Sequence, residues 1–242
     1  MTKTLLKKLR YAYVFIIGFS IVPLLYVTIH AVHKSDIPEL LFWIALEVAA
    51  DLKNFRVLSR VNMDMTVSFA VQMSAIMVLG TEKAVFVVVI ATIIVEFFSA
   101  NRSWQKILFN AGQYGLSLIV SGYFFYFLKL SPNDVTVDLI LDMPAIIAFI
   151  GIYFLLNSFF ITAIVTLTGG SRFTYIFRNA IKVILSNIYA LVPIGLAVAL
   201  LYKPERPYII LIMIPPVILA DEALKRYYNL RNEATETLRI LA

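Results

Sequence analysis

Apolar runs of about twenty residues follow one another along this chain, with only short charged turns between them, and that leaves few ways to fold. The clear runs are Tyr11–Val32, Met63–Leu79, Ala84–Ser99, Ile107–Leu128 and Met143–Leu167, followed by Val183–Tyr202 and Tyr208–Ala220. Lys203-Pro204-Glu205-Arg206-Pro207 separates the last two, its prolines stopping one helix and starting the next. One further segment, Leu40–Ala50, is short and carries Glu47, so taken alone it suits a re-entrant or interfacial helix. Composition agrees: 61% of the 242 residues are hydrophobic and 15% charged, with a mean hydropathy of +0.86. Soluble domains carry roughly 45–50% apolar and about 25% charged residues. A water-soluble fold could not hide this much apolar surface, so the excess faces lipid. The expected fold is an all-α, polytopic membrane bundle.

Met1–Arg10 places lysines ahead of an apolar run, as a signal peptide does. The run continues to Val32 with no small-residue cleavage site, so it reads as a retained first span. The chain has no cysteine, which excludes disulfides, thiolate metal sites and thiol nucleophiles.

The net charge of +6 is explained by where the charges sit. With eight crossings and both termini cytoplasmic, only Lys34, Lys83, Lys129, Lys203 and Arg206 of the 21 basic residues lie outside, leaving sixteen on the cytoplasmic side. That is the bias of the positive-inside rule. Were Leu40–Ala50 not to cross, every later loop would change sides and the bias would reverse. The expected location is therefore the bacterial inner membrane, multi-pass, with anionic inner-leaflet lipid attracting the basic excess and no role for nucleic acid. The longest outer loop, Ser131–Asp142, is acidic through Asp134, Asp138 and Asp142.

Two regions follow: a bundle over 1–220 and a cytoplasmic helical extension over 221–242. The extension is polar, free of Pro and Gly, and rich in Glu, Leu, Arg and Ala. Leu224, Tyr227, Ala234, Leu238 and Leu241 recur at heptad spacing, interrupted by Arg231, which points to a homodimer seam through 224–241 or to an amphipathic helix lying on another domain.

Polar side chains inside lipid are costly and mark candidate sites. Asn110, Gln113 and Tyr114 share one helix face at i, i+3 and i+4. With Gln72, Asn157 and Asn187 they form the candidate ligand-binding set, weighed against the plainer reading that such groups only hydrogen-bond neighbouring helices. Glu96, Arg102 and Lys106 bracket one inner turn and suit an ion pair. Asp51 and Asp64 flank another, beside Lys53, Arg56 and Arg60. His30, His33 and Asp36 offer three potential metal ligands, but nothing supplies a fourth, so interfacial anchoring is the reading and no metal is assigned. No motif for phosphate cradling, zinc hydrolysis or a nucleophile elbow occurs, so no catalytic residue and no cofactor is assigned.

Asp64-Met-Thr-Val-Ser-Phe-Ala, then Glu96, then Arg102-Ser-Trp104-Gln-Lys106-Ile-Leu-Phe109-Asn110-Ala-Gly-Gln113, resembles the N-terminal membrane region that precedes HD-type phosphohydrolase domains in bacteria. Leu230-Arg-Asn-Glu-Ala-Thr-Glu-Thr-Leu238-Arg-Ile-Leu-Ala242 resembles the helix that leads into an HD-GYP domain. The resemblance implies a sensory input module, not itself an enzyme, that relays a signal through its last helix to a cytoplasmic output domain in the same parent chain. It implies that this output domain is a cyclic-di-GMP phosphodiesterase, whose metal ligands and His-Asp pair belong to that domain and not to these residues. The alternative is a small-molecule-binding membrane subunit of a vitamin or metabolite transporter, which is also a compact helical bundle.

Overall fold

A computed structural model describes residues 3–52, 68–99, 103–132, 136–169 and 172–213, then single positions as far as Glu233; within 182–190 only the side chain of Ile188 is included. The described elements are all helical: α1 (Lys3–Phe19), α2 (Ile21–His30), α3 (Ile37–Leu52), α4 (Ser68–Leu79), α5 (Thr81–Phe98), α6 (Trp104–Leu128), α7 (Met143–Leu167) and α8 (Phe173–Leu201), with 3-10 turns at Lys34–Asp36 and Pro207–Met213. No strand occurs among the described residues.

Local chemistry explains most of the boundaries. The first apolar run is one helix interrupted at Ser20, because Pro23 has no N–H to give to the Phe19 carbonyl. Gly80, with φ +86, makes the tight turn that folds α5 back beside α4. α7 occupies the expected range, with Pro144 in its first turn and Gly169 (φ +94) just beyond its end. α8 starts ten residues before the apolar run Val183–Tyr202. Arg178 and Lys182 end the hydrophobicity but not the helix, since both are good helix formers. Tyr208 opens no α-helix. The turn stays 3-10 through Met213, because Pro215 and Pro216 cannot donate back to Leu211 and Ile212.

The α4–α5 hairpin is the centre. α3 and α8 pack on α4, while α2, α3 and α6 pack on α5; α7 lies between α6 and α8, and α1 rests on α6 and α7. Ser68 to Met77 of α4 are all buried. Close approach is achieved with small residues: a Cβ at Gly112 of α6 would stand 2.1 Å from the Ile17 carbonyl oxygen of α1. Thr4–His30 and Met143–Leu167 are long and apolar enough to cross a membrane. α3, at 16 residues, is roughly 24 Å long, short of a hydrocarbon layer of about 30 Å.

Candidate functional site

Three buried polar groups form a chain across three helices. On α3, Leu40, Trp43 and Glu47 make the inward face at helical spacing, and Glu47 is only 1% exposed. Gln72 of α4 donates its Nε2 to Glu47 Oε1 at 2.7 Å. Tyr153 of α7 donates its hydroxyl to Gln72 Oε1 at 2.5 Å. The two bonds fix which end of the Gln72 amide faces which neighbour. Phe69 and Phe154 wall the Tyr153 ring, with Phe69 centroids 5.1 Å from Tyr153 and 4.5 Å from Phe154. Glu47 Oε2 is buried and accepts no hydrogen bond among the described residues. A buried acceptor left open in this way is expensive, and Ser117, Ser158 and Thr162 leave buried hydroxyls open in the same way among the described residues.

A second contact joins α6 to α7, where Gln113 Nε2 donates to Asn157 Oδ1. A third closes the turn between α5 and α6. There Glu96 Oε1 accepts from Asn110 Nδ2 at 2.6 Å, and Glu96 Oε2 lies 2.9 Å from Lys106 Nζ.

The candidate set is thus divided among three local contacts. Gln72, Gln113, Asn157 and Asn110 each take a named partner, and Tyr114 is half-buried against the core. The Asn187 side chain, Asp64 and Arg102 lie outside the described residues, as do Asp134 and the heptad positions Leu224, Tyr227, Ala234, Leu238 and Leu241. Tyr153 was not singled out in the sequence, where it is one aromatic among many in an apolar run. Its signal is a phenol placed mid-span, where the hydroxyl needs a partner.

The loops that precede α3 and α5 and follow α8 are tied by charges and phenols. Asp36 accepts the His33 backbone N–H and pairs with Lys83 at 2.8 Å, while Tyr202 donates to Glu39 and Tyr123 to Glu82, each at 2.7 Å. The bonds from Lys83 and the His33 backbone hold the Asp36 carboxyl below its ordinary value. His30 Nδ1 lies 2.6 Å from the Tyr26 carbonyl. Among the described residues, no group of three or more His, Asp or Glu is gathered as a metal site would require.

A groove of about 400 Å³ opens between α1 and α6, lined by Tyr11, Ala12, Val14, Phe15, Gln105 and Leu108, and none of the candidate ligand residues reaches it. The interior therefore presents hydrogen bonds between helices at three separate places.

The family model of MASE9, a membrane-associated sensory domain, matches residues 37–228. The chain belongs to the MASE9 family. The MASE9 region takes in α3 to α8, and with them every contact of the buried relay, while α1 and α2 precede it. No curated protein and no solved structure matches the chain.

Proposed function

We propose that this MASE9 protein is the input module of a bacterial signalling protein of the inner membrane, crossing eight times with both ends cytoplasmic. Its last helix, over 221–242, passes the signal to a cytoplasmic output domain of the HD-GYP type, a cyclic-di-GMP phosphodiesterase, and the module itself performs no chemistry. The observation that carries the sensory reading is the family match over 37–228. The buried relay supports it. Glu47, Gln72 and Tyr153 link α3, α4 and α7, so a movement of one helix must be answered by the others or break a buried hydrogen bond. Relay of a signal needs two arrangements of nearly equal energy, with the bundle biasing one of them. A dimer seam along 224–241 is the simplest element that would read such a bias.

The crossing count rests on the asymmetry of the basic residues and on α3 acting as a short span. Reporter fusions after Arg60 and after Ala242 test it, and both are expected to report the cytoplasm. A periplasmic signal after Arg60 would remove α3 as a crossing and the topology with it. For the output, the reading frame beyond Ala242 is expected to run into the His-Asp residues of an HD domain. A different domain there would sink the phosphodiesterase reading and leave the sensory one standing.

A further inference from the structure

The groove between α1 and α6 is apolar along its length but lies directly beneath a cluster of positive charge. Its α1 wall is Tyr11, Ala12, Val14 and Phe15. Lys7, Lys8 and Arg10 stand one turn earlier, four residues before Tyr11, Ala12 and Val14, so they overhang the same face. The Arg10 guanidinium is held 5.2 Å from the centroid of the Tyr11 ring, at the mouth of the groove. α1 contains no acidic residue, and among the described residues no carboxylate pairs with any of these three cations.

We propose that this groove binds an anionic phospholipid, one acyl chain lying along Phe15 and Leu108 and the phosphate held by Lys7, Lys8 and Arg10. Its assignment to the inner leaflet rests on the topology proposed above; the site itself does not. Charge complementarity selects this occupant. Cations at the bilayer surface above an apolar slot match the two halves of such a lipid, and basic pockets between helices on the cytoplasmic side recognise anionic headgroups. A second copy of the chain docking here about a two-fold axis would bring its own Lys7, Lys8 and Arg10 against these, like charge facing like.

The two tryptophans provide the test. Trp43 is fully buried, whereas Trp104 is 71% exposed and stands four residues before Leu108 of the groove. The full chain is placed in phosphatidylcholine vesicles holding a minor fraction of either brominated phosphatidylglycerol or brominated phosphatidylcholine. The Trp104→Phe variant supplies the background. Brominated phosphatidylglycerol is expected to quench Trp104 about fivefold more effectively at equal mole fraction. Lys7→Gln, Lys8→Gln and Arg10→Gln together should bring it down to the phosphatidylcholine level. If that variant does not insert, high salt applied to the unaltered chain should erode the preference in the same way. Equal quenching by the two lipids in the unaltered chain would overturn the proposal, as would a preference that survives both the loss of the cations and high salt. Quenching by neither lipid would mean that protein covers the groove, and overturns it too. The reporter fusions measure sidedness independently, so a failed lipid preference and a failed topology are told apart.

Discussion

Two apolar stretches of this chain, Ser68–Leu79 and Thr4–His30, have opposite fates. Every residue of α4 from Ser68 to Met77 is buried, while Phe15, Ile16 and Tyr26 of α1 and α2 are 66–69% exposed. In water the more apolar of two helices goes inside. In lipid that preference vanishes, because the solvent is as apolar as the side chains, and other properties decide. α4 carries Ala70, Gln72, Ser74 and Ala75, residues that are small or need a partner. Ser74 donates to the Gly195 carbonyl of α8 at 3.0 Å, and Gln72 bridges α3 and α7. α1 and α2 instead present bulky side chains outward and touch the bundle where backbones can meet.

If small residues rather than hydrophobicity set these positions, the largest effect should come from filling the tightest of them. Gly112→Val adds three carbons where even a Cβ would stand 2.1 Å from the Ile17 carbonyl oxygen. Neither backbone can yield cheaply, so a loss on the order of 3 kcal/mol is expected, read as a lowered unfolding midpoint in lipid discs. Phe15→Leu, an apolar exchange on the exposed face of α1, should stay within about 0.5 kcal/mol. Equal losses for the two would return the decision to hydrophobicity and break the comparison.

A smaller effect is expected inside the relay. Gln72→Leu keeps the volume but leaves Glu47 Oε1 and the Tyr153 hydroxyl without their partner. Double-mutant cycles of hydrogen bonds between membrane helices average about 0.6 kcal/mol and reach about 1.7. A cycle of Gln72→Leu with Tyr153→Phe should fall in the upper part of that range, since both groups are buried. A coupling of zero, measured by reversible unfolding, would make α4 a helix held by packing alone.

The same distinction explains what was legible beforehand. Helix existence and the all-α class follow from hydropathy and punctuation, and α7 matches its apolar run to the residue because Pro144 and Gly169 mark its ends. The early start of α8 was not legible, because Arg178 and Lys182 interrupt the hydropathy without interrupting the helix. The break at Ser20 was signalled by Pro23, inside a run whose length alone suggested one continuous span. The polar residues inside the apolar runs were readable, Tyr153 excepted, but their partners were not. Gln113 meets Asn157, and Gln72 meets Tyr153, only because α6 and α4 each lie against α7's inward face, and nothing in one chain's hydropathy orders helices around a centre.

The loop before α7 supplies the remaining contrast, a polar cluster outside the long apolar helices, in which Asp142 is itself buried. Asp142 precedes α7, yet its side chain turns back into the loop. Its Oδ1 accepts the backbone N–H of Leu130 and Ser131, and its Oδ2 accepts the Ser131 hydroxyl and the Asp138 N–H, at 2.6 to 2.9 Å. Burial works to raise this carboxyl, but the Ser131 hydroxyl and the backbone donors outweigh it and bring it from 3.8 down to about 2. A carboxyl depressed in the folded state stabilises that state above its unfolded value, and the contribution fades as pH falls from 3.8 towards about 2. Acidification through that window should therefore lower the protection of the Leu130, Ser131 and Asp138 amides, measured against their intrinsic exchange rates, while leaving the α4–α5 hairpin protected. Asp142→Asn keeps the shape but removes the charge, so protection at these amides should be lower at neutral pH and unchanged across the acid window. The effect is local and the smallest of the three, because it rests on hydrogen bonds within one loop, whereas α4 is packed by α3, α5 and α8. Protection lost equally in α4 and the loop would show that the hairpin and the loop unfold as one unit, and that the division between them is not energetic.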